Sequence, residues 1–259
     1  MAEFSEALRL AEHGAAVADA IGDFGLKVSS VFFIGLGAHA LGRYRYGAEI
    51  LAKNVASLPG PLATQRFGFV SVCSVVSGCY LALCLTELGE FDDARRAAET
   101  ARATASKAGS AFDRIQGDLA LAGVDLARGA GGECIAPLEQ ALDLCRKASV
   151  AVLLPRATSA LALAYALAGR AEDAVALTVE REEQSGEAVR AMSLLASAEA
   201  LLLAGRLDAA RESGETLVRF ARATAQAGSE AWGQMAVASS RLAQGNWQEA
   251  MEIARRSTP

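Results

Sequence analysis

Six glycines recur along this chain at a nearly fixed interval, and that interval limits what the chain can fold into. Gly42, Gly89, Gly129, Gly169, Gly205 and Gly245 stand 47, 40, 40, 36 and 40 residues apart. Each sits in a short turn-like phrase, such as Leu88-Gly89-Glu90-Phe91 or Ala204-Gly205-Arg206-Leu207. Glycine suits the left-handed residue that ends a helix, where a Cβ would be strained. An apolar residue usually follows two positions later, within reach to pack back across the turn. Five positions after each glycine comes a small residue: Gly47, Ala94, Cys134, Ala174, Ala210 and Ala250. A small side chain there lets a second helix approach the first closely. Turn chemistry and long period agree, and together they specify an array of helix pairs.

The spacing predicts an unpaired helix over 3–21. Pairs follow at 24–41 with 44–57, 67–88 with 91–108, 111–128 with 132–147, 155–168 with 171–185, 187–204 with 207–227, and 229–244 with 247–257. Pro59-Gly60-Pro61 breaks the chain inside the one long interval. Pro155 fits the first turn of a helix, where a missing N–H costs nothing. Gly129, Gly131 and Gly132 make the third turn the weakest, because it lacks the apolar residue. No linker or low-complexity segment divides the array, so residues 1–259 are expected to form one domain.

Composition supports helix: 52% of the 259 residues are apolar, only 6% are aromatic, and there are 5 prolines. The net charge of −5 and the absence of any Lys/Arg run argue against nucleic acid as the partner. Five cysteines (73, 79, 84, 134, 145) without a C-x-x-C pair read as reduced thiols packed as small apolar residues in a cytoplasmic protein. The N-terminus has no basic region followed by an apolar run, so no signal peptide is expected. Residues 67–85 carry no formal charge, which approaches the length of a membrane span. Ser71, Ser74 and Ser77 recur on one side and no basic flank or aromatic belt follows, so an inner helix of the array is expected instead of a membrane segment.

The residues Leu81-Ala82, Leu85, Gly89, Phe91 and Ala94 resemble the pattern of a tetratricopeptide repeat: small residues in a first helix, a glycine turn, an aromatic, then alanine. The period near 40 exceeds the 34 of the standard repeat. It is similar to the repeat regions at the C-terminal end of bacterial signalling proteins that carry a class III adenylate/guanylate cyclase domain or a STAND-type ATPase. The phrases Ala18–Phe24, Tyr80–Phe91, and Pro155-Arg156 with Ala164–Arg170 carry that likeness. The resemblance implies an all-α, right-handed α-α superhelix of about six pairs plus an N-terminal helix, with a role in partner binding or regulation.

Candidate chemistry is thin. Val31–Ala40 contains Gly35-Leu36-Gly37 after an apolar run, a dinucleotide-binding fingerprint on paper. No βαβ pattern surrounds it, and helix packing explains Gly35. His13 and His39, the two histidines, lack neighbours at ligand spacing, so no metal site is expected. No nucleophile motif or P-loop is present, and no enzyme activity or cofactor is expected. Asp92-Asp93 and Glu172-Asp173 fall in first turns of helices, where the dipole favours negative charge. Glu180–Glu183 reads as a solvated face.

In tetratricopeptide arrays the first helix of each pair lines a concave groove. Counting back 13, 10, 6 and 3 residues from each glycine selects Phe32, Leu36 and His39; Cys79, Leu83 and Thr86; Gln116 and Leu119; Arg156, Ser159 and Leu163; Met192, Leu195 and Glu199; and Trp232, Met235 and Ser239. This face is mostly apolar, with isolated charges at Arg156 and Glu199. Arg156 would anchor an acidic group on a ligand, or pair with Glu199 or another neighbouring acid. The expected function is a non-catalytic interaction or regulatory module for a protein or peptide partner. The alternative is a sensor that binds a small effector and regulates an attached output domain. The first helix reads as the second half of a repeat and the last pair has no polar cap. Exposed apolar ends would then be covered by further repeats, by a partner or by self-association.

Overall fold

The computed structural model describes residues 3–179 and 187–256. Glu180–Glu183, the end of the helix expected over 171–185, and Ser257–Pro259 lie outside these described residues. Among them every regular element is helical. The described residues form two compact units, one within 3–128 and 143–153, the other within 129–142 and 154–256.

The N-terminal unit contains α1 (Glu3–Ile21), α2 (Phe24–Ala40), α3 (Tyr44–Ala56), α4 (Cys73–Glu87), α5 (Phe91–Ala108) and α6 (Ala111–Ala127), with a 3-10 turn at Gly60–Thr64. The C-terminal unit contains α8 (Leu154–Leu167), α9 (Ala171–Val179), α10 (Glu187–Leu203), α11 (Leu207–Ala223), α12 (Ala227–Ala243) and α13 (Trp247–Arg256). Between them in sequence, α7 (Gly131–Lys147) contributes residues to both. Within each unit consecutive helices pack on each other, from α1 to α6 and from α8 to α13. The first helices of the pairs also touch in a row, α2 with α4 with α6 in one unit and α8 with α10 with α12 in the other.

All six turn glycines are left-handed, with φ between 72° and 84°. Behind them the chain closes with paired backbone hydrogen bonds. At the first, Gly42 N–H donates to His39 O at 3.0 Å and Arg43 N–H to Ala38 O at 2.8 Å. The same two-bond pattern recurs at Gly89, Gly169, Gly205 and Gly245. It satisfies carbonyls that the helix end would otherwise leave open. The small residues five positions later are all buried, and Ala94, Ala174 and Ala210 have no exposed surface. Alanine also builds much of the packing between helices: Ala94, Ala98, Ala101 and Ala105 form one buried stripe of α5 against Val75, Cys79 and Ala82 of α4 and Ala120 and Val124 of α6. That is why the chain buries a core with so few aromatics.

Gly35 lies mid-helix in α2, not in a strand-to-helix loop. A Cβ there would stand 2.4 Å from Leu51 Cγ and Cδ2, and Leu51 is fully buried. The glycine is therefore a packing residue, as the repeat pattern implies. Gly35→Ala should destabilise the protein by about 1–3 kcal/mol through overpacking. Urea denaturation checks this, and an unchanged midpoint would refute it.

One expected helix start is displaced. Residues 67–72 form a loop, and α4 begins at Cys73. Phe67 and Gly68 are both left-handed, at φ 49° and 84°, which no helix tolerates. The segment is held instead by Asp113 of α6, a fully buried carboxylate. Asp113 accepts from Arg66 Nη2 at 2.8 Å, Val72 N–H at 3.0 Å and the Ser71 hydroxyl. The uncharged run of 67–85 is thus split, and no helix among the described residues is long and apolar enough to cross a membrane.

The turns that lead from one pair to the next use the same left-handed device. Gly22 and Gly109 supply it before α2 and α6, at φ 72° and 75°. Ala225 occupies the matching place before α12 at φ 56°. Replacing it with glycine removes a Cβ clash and adds chain entropy to the unfolded state, with the clash the larger effect. Ala225→Gly should raise stability by about 0.5–1 kcal/mol, read as a higher urea midpoint; a lower one would contradict the strain.

Candidate interaction face

The first-helix row of the N-terminal unit is closed by aromatic packing. Phe32 is buried beneath Phe69 and Tyr80, with ring centroids at 5.9 and 5.7 Å. His39 packs edge-on against Tyr44 at 5.5 Å and Tyr80 at 5.9 Å. Leu36 packs at the edge of the cluster around Leu51. Cys79 is buried, its thiol 3.4 Å from Gln116 O. Leu83 is half-buried over Gly123 of α6. Thr86 returns its hydroxyl to Ala82 O at 2.8 Å. Gln116 and Leu119 are buried. Of the positions selected here by spacing, Leu36, His39, Leu83 and Thr86 retain partial exposure. Sequence spacing missed Phe33, which is 47% exposed beside Phe69, and Phe69 itself, which the unexpected loop carries.

The five cysteines form no disulfide and are buried. Burial pushes the Cys73 thiol up to about 11 and the Cys84 thiol up to about 12, with the Glu87 charge adding to the latter. Thiols held neutral behave as small apolar side chains. Among the described residues no three His, Cys, Asp or Glu side chains gather as a metal site.

The corresponding row of the C-terminal unit is more open. At its start Arg156 is 8% exposed and Ser159 is buried, with its hydroxyl 3.2 Å from that of Ser193 on α10. Arg156 is therefore packed within the helices and offers no exposed anchor. Leu163 is half-buried. From there outward the side chains surface. Met192 of α10 is exposed, Leu195 packs its inner edge on Leu194 and Leu217, and Trp232 and Ser239 of α12 are half-buried. Met235 is 52% exposed. Leu203 and Leu242, 51% and 61% exposed, extend the same apolar character toward the turns.

Glu199 lies within that apolar stripe. It follows Met192 by seven residues and Leu195 by four, and Leu203 comes one turn later, so all four share one side of α10. Between residues 191 and 203 it is the one charged side chain. It forms no ion pair with Arg156 or any other described residue. Burial alone raises its carboxyl from the ordinary 4.5 to about 7, with no neighbouring charge contributing.

No protein-family model matches the chain, and no curated protein matches it in sequence. Solved structures do match in shape. The Rap protein complexed with Competence and Sporulation Factor superposes with a TM-score of 0.76 at 13% identity, over 98% of this chain and 68% of that one. The apo form of RapI gives 0.69 at 13% identity, over 99% and 90% of the two chains. The Rap conjugation gene regulator of plasmid pLS20, in complex with the Phr* peptide, gives 0.64 at 14% identity, over 90% of this chain and 63% of that one. At such identities the likeness is one of fold, and the fold is an all-α solenoid of tetratricopeptide-like helix pairs.

Proposed function

We propose that this protein is a non-catalytic module that binds a peptide or a protein segment along the first helices of its C-terminal unit. The observation that carries the reading is the exposure pattern: the row is closed by packing in α8 and opens at Met192 and Met235. Exposed methionines on α10 and α12, with a half-buried tryptophan one turn before Met235, suit an adaptable apolar ligand. Two of the structural neighbours were solved with a bound peptide or factor, which supports a ligand of that size. A tie to cyclase or STAND-ATPase output domains rests on the sequence phrases alone.

The test is selection of binders from a displayed library of short random peptides, using the whole chain as target. Trp232→Ala with Met235→Ala should weaken the selected peptides by about tenfold or more, since buried aromatic anchors dominate such interfaces. Unchanged affinity would move the site elsewhere.

A further inference from the structure

The carboxylate of Glu199 has no structural task that the packing reveals. Other charges on the first helices of this unit have partners. Glu230 of α12 accepts from Arg222 at 2.8 Å and from Gln234 at 2.9 Å. Arg241 pairs with Glu249 at 3.3 Å. Arg156 is buried and has partners of its own. Arg190 of α10 lies over the Phe220 ring at 5.5 Å. Glu199 has no hydrogen bond, ion pair or ring contact among the described residues. It is also placed at some cost. A buried carboxylate that meets no donor loses hydration and receives nothing in return. A helix that needed only packing there would carry leucine, as it does at 194, 195, 201, 202 and 203.

We propose that Glu199 is a recognition site for a single positive charge, the ammonium or guanidinium of a basic side chain within an otherwise apolar peptide lying on α8, α10 and α12. Charge complementarity argues for this occupant: the surrounding stripe is apolar and the one unpaired charge on it is negative. An incoming cation would make a charge-assisted hydrogen bond in a poorly hydrated setting, where such a bond is stronger than at the open surface. The apolar neighbours Met192, Leu195 and Met235 would take the flanking residues. Specificity follows from the same geometry, because an acidic residue at that point would face Glu199 without a counter-charge. The proposal rests on the ligand-binding reading given above.

The same displayed peptide library tests it. Peptides selected on the wild-type chain should share one Lys or Arg flanked by apolar residues. Their affinity should fall at least tenfold on Glu199→Gln, while analogues with norleucine in place of the basic residue should bind both proteins alike. Glu199→Lys should turn the selected pool toward Asp and Glu. Apolar peptides that bind equally to wild type and Glu199→Gln, with no basic preference, would overturn the cation site and leave the binding face standing. Peptides indifferent to Trp232→Ala with Met235→Ala would overturn both. If no peptide is enriched and spermidine raises the melting temperature of wild type but not of Glu199→Gln, the occupant is a free amine and the peptide assignment is wrong.

Discussion

Glu199→Gln should make this protein more stable in alkaline solution and leave it nearly unchanged in acid. Burial lifts the folded-state carboxyl to about 7 from its ordinary 4.5. The folded state therefore disfavours the charged form. Below the unfolded value both states are protonated and the glutamate costs little. As pH rises from 4.5 to 7 the unfolded chain ionises first, and stability is progressively lost. Above 7 the loss is complete. The shift corresponds to about 2–3 kcal/mol once the partial exposure of the side chain is allowed for. Glutamine keeps the shape and cannot ionise. Urea titrations of both proteins should differ by a few tenths of a kcal/mol at pH 4.5 and by the full amount at pH 8. Parallel pH profiles would show that the carboxyl is solvated and carries no penalty.

The second large effect has the opposite sign. Asp113→Ala should cost about 3 kcal/mol or more, because it strands three donors that converge on one buried carboxylate. Arg66 retains access to water and recovers part of its hydration, so the loss falls at the lower end for a broken buried pair. The consequence is local as well as global. Asp113 holds the 66–72 segment on α6, and that segment carries Phe67 and Phe69 onto Phe24, Phe32 and Phe33. Near-ultraviolet circular dichroism should lose aromatic signal before the helices melt. Arg66→Ala should cost less than Asp113→Ala, since Ser71 and Val72 would still be satisfied. A loss below about 1 kcal/mol for Asp113→Ala would show that the clamp is dispensable.

The fold was legible in the sequence and the face was legible only in part, for physical reasons that differ. A left-handed turn admits few residues, so Gly42 through Gly245 announce themselves locally. Close helix contact demands a small side chain, so Ala94 and Ala210 do the same. Groove positions carry no such local demand. Their exposure depends on what the neighbouring helix brings, which a fixed count from the glycine cannot include. The tenth residue before the glycine shows this. It is Phe32, Cys79, Leu119 and Ser159 in α2, α4, α6 and α8, all buried, and Leu195 and Met235 in α10 and α12, where it surfaces. Arg156 misled for the same reason: a charge in sequence suggested the surface, and the packing of α8 enclosed it. The Asp113 clamp was invisible because Arg66, Ser71 and Asp113 are joined only by folding, and an uncharged run looked helical through residue 67. Two residues after Gly245 the apolar position is Trp247, which is 59% exposed, so the staple expected at these turns is not uniform.

The turns close with backbone hydrogen bonds, and the helices that follow Arg43, Glu90 and Arg206 begin without any side-chain cap. Each turn therefore asks almost nothing of its side chains beyond one glycine. The residues freed in this way meet the next turn instead: Arg45 reaches Glu90 at 2.6 Å, Arg206 reaches Glu172 at 2.6 Å, and Gln244 reaches Asp208 at 3.0 Å. Such exposed pairs contribute little energy and are readily exchanged. A scaffold that fixes a few positions in every forty leaves the others open to mutational drift, which is how two chains can share an architecture after nearly all resemblance in their letters has eroded.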